Sequence, residues 1–219
     1  SEVRMLEANG DEYAFQFIRS KISDIEITPA QLALDPCSAS CVVTDVNTGE
    51  VRALVTYPSY DNNKFSGTVD AAYYNKLNND LSLPLFNNAT QAQKAPGSTF
   101  KPIIAVAALE EKAVGLTETI TCTGQYGEIT PHLRCWIYPG QHGPLDVEHG
   151  IMNSCNVFFA EMGHRLSMDE NGSYTPELGI EKIRKYAAMF GLDETSGIEI
   201  SEKPPQMTTE KPEASSIGQ

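Results

Sequence analysis

Ala95-Pro96-Gly97-Ser98-Thr99-Phe100-Lys101-Pro102-Ile103-Ile104-Ala105-Val106-Ala107-Ala108-Leu109 is the stretch that decides the fold of this chain. Pro96-Gly97 punctuates the start of a helix, and Pro102 is tolerated only within that helix's first turn. From Ile103 to Leu109 the helix is apolar on every side, which puts it in the middle of a domain. Ser98-Thr99-Phe100-Lys101 is the only Ser-x-x-Lys in the 219 residues. Positions i and i+3 share a helix face, so the Lys101 amine reaches the Ser98 hydroxyl. The serine lies among N–H groups without intrahelical partners, which stabilise an oxyanion when it attacks a carbonyl. The lysine is carried into apolar surroundings, where its pKa falls and it acts as a base. On the motif alone a plainer reading carries more weight: about one such pair is expected by chance at this length. Ser98 is then an N-cap and Lys101 a solvated first-turn residue.

Upstream, Cys41-Val42-Val43-Thr44-Asp45 and Val51-Arg52-Ala53-Leu54-Val55-Thr56-Tyr57 flank the turn Asn47-Thr48-Gly49, and Pro58 stops the second run. This reads as an antiparallel hairpin, and its near-continuous apolar character implies that both faces are covered. Residues 1–30 read as a helix bearing Tyr13, Phe15, Phe17 and Ile18, followed by a polar connection. Residues 59–95 are polar and read as loop with short helices. Downstream, residues 116–150 form a Gly-, Thr- and His-rich excursion of loop and short strand. A helix over 157–166 turns Val157, Phe158 and Met162 inward. A second helix over 176–190 has Leu178, Ile180, Ile183, Ala187 and Phe190 at helical spacing, and Gly191 caps its end. Strands first and helices after is an α+β order, with too few strands for the sheet such helices should cover.

Composition narrows the function classes. Lys+Arg is 16 and Asp+Glu is 29, a formal charge of −13, with 41% hydrophobic residues. There is material for a core, and no basic patch for a phosphate backbone or polybasic run for a membrane surface. The longest strictly apolar run, Ile103–Leu109, is far short of the roughly 20 residues of a spanning helix.

Asn153-Ser154-Cys155-Asn156 is the second feature. In extended chain i and i+2 point the same way, so Ser154 and Asn156 project into one cleft while Cys155 points to the other side. Asn and Ser are also favoured helix caps, which is the simpler reading. The five cysteines are an odd number, so at least one is free, metal-bound or paired with another chain. Cys122, Cys135, His142 and Cys155 are spaced C-x12-C-x6-H-x12-C, and three thiolates with one imidazole suit tetrahedral zinc. The competing reading is a Cys122–Cys135 disulfide with Cys155 simply buried. It leaves His142 and Cys155 without a reason.

Taken together, Ser98, Lys101 and then Ser154-x-Asn156 resemble the motif order of the penicillin-recognising serine enzymes. Thr48-Gly49-Glu50-Val51, Ala53-Leu54-Val55 and Tyr57-Pro58-Ser59-Tyr60-Asp61-Asn62-Asn63 resemble the first hairpin of a penicillin-binding transpeptidase domain, and residues 96–102 its active-site helix. Phe190-Gly191-Leu192, Ser196-Gly197-Ile198-Glu199-Ile200 and Ile217-Gly218-Gln219 are similar to later landmarks. Asp169-Glu170-Asn171-Gly172 before Tyr174 resembles the elongation-type class B proteins.

The resemblance implies the serine transpeptidase/β-lactamase-like fold, an antiparallel sheet covered by helices. It implies cross-linking of peptidoglycan stem peptides: Ser98 attacks the D-Ala–D-Ala carbonyl, Lys101 is the base, Ser154 relays the proton, and Asn156 orients Lys101 and the substrate amide. β-Lactams would acylate Ser98. Acyl transfer needs no cofactor. A membrane glycosyltransferase partner and an anchored location on the extracytoplasmic face of a bacterial membrane follow from the same likeness. Some elongation-type relatives hold a metal in this region, in keeping with zinc at Cys122, Cys135, His142 and Cys155. The family's Lys-Thr/Ser-Gly strand is absent from this sequence. The expectation is a connecting segment at 1–35 and a partial transpeptidase domain at 36–219, cut before that strand and impaired in turnover. A β-lactamase-type hydrolase and a β-lactam sensor share the serine and lysine and remain the alternatives.

Overall fold

The computed structural model describes residues 2–24, 26–27 and 37–219. They belong to two compact units, residues 1–92 and 93–219.

In the first unit α1 (Glu2–Ser23) is interrupted by Gly10 at φ +71, so the expected N-terminal helix is two helical pieces. Most of the connection after it lies outside the described residues. The expected hairpin forms from β1 (Ala39–Thr44) and β2 (Val51–Tyr57), with Cys41 opposite Val55 and Val43 opposite Ala53. Asp45 organises its turn: Oδ1 accepts from Asn47 N at 2.9 Å, and Gly49 N donates to Asp45 O at 2.8 Å. Two helices follow, α2 (Ala71–Asn78) and α3 (Asn88–Gln91). The short α3 packs on the hairpin, where Asn88 N donates to Thr56 Oγ1 at 2.9 Å. Val42, Val43, Val51 and Val55 are nevertheless exposed, so the expectation that both faces are covered fails. β-Branched runs specify extended backbone, not what lies above it.

The second unit is built around α4 (Lys101–Glu110), which continues from a 3₁₀ turn at Gly97–Phe100 and holds Pro102 in its first turn. Ile104, Ala105, Ala107 and Ala108 are buried, but Pro102 and Val106 face outward. The helix is therefore not enclosed on every side, because one i,i+4 stripe meets no partner. Four short strands follow: β3 (Ile120–Cys122), β4 (Gln125–Tyr126), β5 (Leu133–Arg134) and β6 (Gly143–Leu145). β3 pairs antiparallel with β6 and β4 with β5, one hairpin nested inside another. α5 (Val147–Met152) starts at Asp146, whose Oδ1 accepts from His149 N at 2.9 Å.

Next come α6 (Asn156–Leu166), α7 (Pro176–Met189) and α8 (Pro212–Ser215). α6 is capped by the Cys155 sulfur, which accepts from Phe158 N. It buries Val157, Phe158, Phe159, Ala160, Met162 and Leu166. Each such large side chain contributes about 1.5–3 kcal/mol by leaving water, and together they make α6 the centre of the core. Of the residues at helical spacing on α7, Ile180, Ile183 and Ala187 are buried, Leu178 is half-buried, and Phe190 caps the helix and stays exposed. Among the described residues no helix is long and apolar enough to cross a membrane.

Candidate active site

Ser98 is the second residue of the 3₁₀ turn and is exposed. Among the described residues no hydrogen bond engages its hydroxyl, whereas Thr99 Oγ1 beside it donates to Pro96 O at 2.7 Å. One turn on, Lys101 is only 1% exposed. Its Nζ donates to Asn156 Oδ1 at 2.7 Å, Ser154 O at 2.7 Å and Ser154 Oγ at 3.2 Å. It also lies 5.6 Å from the Phe159 ring centroid. Burial lowers the pKa of the amine, against the opposing pull of the Cys135 and Cys155 sulfurs. The reading of Lys101 as a solvated first-turn residue does not hold. Nζ gives its hydrogen bonds to Ser154 and Asn156 and none to Ser98 among the described residues, so the Ser98–Lys101 contact expected from the one-turn spacing is not made. A buried amine of lowered pKa one turn after an exposed serine is the pairing on which general-base activation draws.

The Ser154-Cys155-Asn156 corner presents these groups by an unusual backbone. Ser154 has φ +47, a left-handed conformation that side chains rarely adopt. The corner is held by Ser154 N to Ile151 O at 2.9 Å and Cys155 N to Gly150 O at 3.0 Å. Asn156 begins α6 and is fixed from its other side, since Nδ2 donates to Arg134 O at 3.1 Å. Trp136 Nε1 donates to Asn153 O at 2.9 Å, tying the outer edge of the corner to the residue after Cys135. Nothing in the sequence signals these carbonyl contacts. A main-chain oxygen carries no residue signature, and only the pairing of β4 with β5 places Arg134 there.

Cys155 turns away from Lys101 into the nested hairpins. Cys122, Cys135, His142 and Cys155 present ligand atoms that all lie within 4.8 Å of one another. Cys135 Sγ is 3.6 Å from His142 Nδ1 and 3.9 Å from Cys155 Sγ. Ligands of a tetrahedral zinc with Zn–S near 2.3 Å stand about 3.8 Å apart, so the donor set fits that ion. All three buried cysteines are free thiols, with no Cys122–Cys135 disulfide. Burial opposes a thiolate at Cys135, but the N–H groups of Asn156, Ile137 and Val157 aimed at the sulfur outweigh it and the pKa falls. Burial pushes the Cys155 thiol up. Cys37 and Cys41 are exposed and take no part.

Residues 217–219 also meet the turn that carries Ser98. Gly97 N donates to Gly218 O at 3.0 Å. Gly218 has φ +79, and a Cβ there would strike the Gly97 carbonyl. In the sequence Ile217-Gly218-Gln219 is a family landmark without a stated contact; the structure gives it one beside Ser98.

Comparison with known proteins bears on the family and the fold. The profile of the penicillin binding protein transpeptidase domain matches residues 39–219. Peptidoglycan D,D-transpeptidase MrdA of Haemophilus influenzae is 33% identical over 172 residues, which are 78% of this chain and 24% of the relative. The chain thus spans about a quarter of the length of the curated relatives it matches. A solved peptidoglycan synthase complex that coordinates polymerization and crosslinking aligns with TM-score 0.71 and 28% identity, over 82% of this chain and 31% of that one. The ceftriaxone acyl-enzyme of Mycobacterium tuberculosis penicillin-binding protein A aligns with TM-score 0.66 and 27% identity, over 84% of this chain and 41% of that one. An exposed serine one turn before a buried lysine, that lysine held by a Ser-x-Asn corner, and a matching profile over most of the length lead to one assignment: the chain belongs to the penicillin-binding protein transpeptidase family, with the elongation-type class B members.

Proposed function

We propose that this chain carries the acyl-transfer centre of a peptidoglycan D,D-transpeptidase, within a transpeptidase domain that takes in residues 36–219 after a connecting segment at 1–35. The observation that carries the reading is Lys101 Nζ, buried and held by Ser154 and Asn156, one turn after an exposed Ser98. Ser98 Oγ attacks the penultimate D-Ala carbonyl of a stem peptide while Lys101 takes its proton. The C–N bond breaks, Ser154 relays the proton to the leaving amine, and D-alanine departs. The amine of a neighbouring stem then attacks the acyl-enzyme and regenerates Ser98. Asn156 holds Lys101 in place and offers its amide to the substrate.

β-Lactams acylate the same oxygen, as the likeness to an acyl-enzyme complex supports. A polymerising glycosyltransferase is the partner supported by the likeness to a synthase complex. A membrane-anchored, extracytoplasmic location is where that substrate lies. Cys122, Cys135, His142 and Cys155 would hold zinc, as their donor set supports. Bound there, the ion would cross-link the nested hairpins to the Ser154 corner and take no part in acyl transfer.

The test uses the full-length protein containing this chain. A fluorescent penicillin should label it once, on the peptide bearing Ser98, and Ser98→Ala should abolish labelling. Labelling of Ser98→Ala at an unchanged site refutes the assignment. Rapid release of hydrolysed drug would replace transpeptidation by hydrolysis.

A further inference from the structure

Glu213 is a charged residue buried to 2% exposure that the acyl-transfer chemistry does not use. Its Oε1 accepts from Tyr174 Oη at 2.8 Å and lies 3.3 Å from His164 Nδ1. The His164 and Tyr174 rings stack on each other with centroids 4.7 Å apart. No Lys or Arg pairs with it among the described residues. Removing a carboxylate from water is costly, and here the cost is set against contacts that lock α8 to α6.

That lock is one link in a closed ring. α8 and the residues after it form a single hydrogen-bonded piece: Ser216 N and Oγ donate to Pro212 O at 2.9 and 2.7 Å, and Gly218 N donates to Ser215 O at 3.0 Å. At one end of the piece Gly218 O receives Gly97 N, next to Ser98. At the other, Glu213 grips His164, which lies on α6 eight residues after Asn156. Asn156 in turn holds Lys101, one turn from Ser98. Gly163 lets the piece sit this close to α6, since a Cβ there would strike Ser216 Oγ and the Pro212 carbonyl. The ring therefore ties the turn carrying Ser98 to the helix carrying Asn156 by a route that bypasses α4.

We infer that Glu213, through its contacts with His164 and Tyr174, is a positioning residue that sets the Ser98 turn against the Lys101–Asn156 pair. This rests on the acyl-transfer reading above. A catalytic group displaced by about 1 Å loses on the order of 100-fold in rate, so a loosened Ser98 turn should slow acylation more than binding. Glu213→Gln keeps an acceptor for the tyrosine hydroxyl and should restore most of what Glu213→Ala removes.

The experiment is transient kinetics of fluorescent penicillin acylation by the full-length protein, separating the acylation rate constant from the non-covalent Kd. In Glu213→Ala the rate constant should fall roughly 10- to 100-fold with Kd nearly unchanged, and Tyr174→Phe should fall in the same sense. Equal losses in rate constant and affinity, or no rescue by Glu213→Gln, would overturn the inference. If Glu213→Ala does not fold, Tyr174→Phe decides: a lowered rate constant supports it and an unchanged one refutes it. Failure of the unsubstituted protein to acylate would refute the acyl-transfer reading and this inference with it. Normal acylation by every variant would refute this inference alone.

Discussion

Replacing Asn156 by Asp changes one atom and reverses the electrostatics of Lys101. Asn156 Oδ1 lies 2.7 Å from Lys101 Nζ, and Nδ2 gives its hydrogen to Arg134 O at 3.1 Å. Asn156→Asp puts a negative charge against the amine, and its second oxygen faces a carbonyl with no hydrogen between them. An opposite charge this close shifts a pKa by roughly 1–3 towards the charged form. Burial now lowers the Lys101 pKa, so the substitution works against it and raises it. The base must be neutral to accept the Ser98 proton. Each step of one in pKa divides the neutral fraction by about ten, so acylation near neutral pH should fall about 10- to 1000-fold.

The assay is the second-order rate of fluorescent penicillin acylation by the full-length protein across pH. The limb of the profile that rises with pH should move to higher pH by the same 1–3. Asn156→Ala removes the acceptor without adding charge. It should slow acylation without moving the limb upward, and stability should change little, because the exposed Arg134 carbonyl it releases can turn to water. If Asn156→Asp acylates at the unsubstituted rate with the limb unmoved, Lys101 is not the base and the roles assigned around it are wrong.

Protein purified without chelator should carry about one zinc per chain by elemental analysis, lost in Cys155→Ser; absence of zinc with Cys135 and Cys155 alkylated as free thiols would refute the site. Phe158 is 1% exposed and meets Phe159 edge-on at 5.4 Å, so Phe158→Ala should destabilise by about 3–5 kcal/mol in denaturant titration, and an unchanged midpoint would refute the placement of the core. Glu111 accepts from Lys185 Nζ at 2.8 Å and Tyr186 Oη at 3.0 Å, and the Lys185 bond first and the tyrosine bond after it hold its carboxyl below the usual range. A lowered carboxylate pKa contributes stability above its ordinary titration range and loses it as pH falls through the folded value. Glu111→Gln should therefore flatten the loss of stability below about pH 4.5, and thermal melts against pH that superimpose with the unsubstituted protein would refute it.

What the sequence determined by itself is what neighbouring residues decide. The one-turn spacing of Ser98 and Lys101, Pro102 in the first turn, and the inward faces of α6 and most of α7 follow from a period of 3.6 residues. The hairpin of β1 and β2 follows from β-branched runs about a glycine turn. Divergence of Cys155 from Ser154 and Asn156 was visible in their alternation, although the corner is set by a left-handed Ser154 rather than by extended chain. Only the tertiary structure decided where these pieces meet. Lys101 finds Ser154 and Asn156 more than fifty residues away, and the Arg134 carbonyl that steadies Asn156 belongs to a two-residue strand. Val106 stays exposed on a helix that is apolar on every side, Phe190 stays exposed although it sits at helical spacing with Ile183 and Ala187, and the hairpin keeps its valines exposed. Glu213 reads in the sequence as one more surface carboxylate, and it becomes a buried anchor because α6 and Tyr174 close over it. Periodicity records which face of an element is apolar. The partner that covers that face, or leaves it bare, is set by contacts between residues far apart in the chain, which no local pattern encodes.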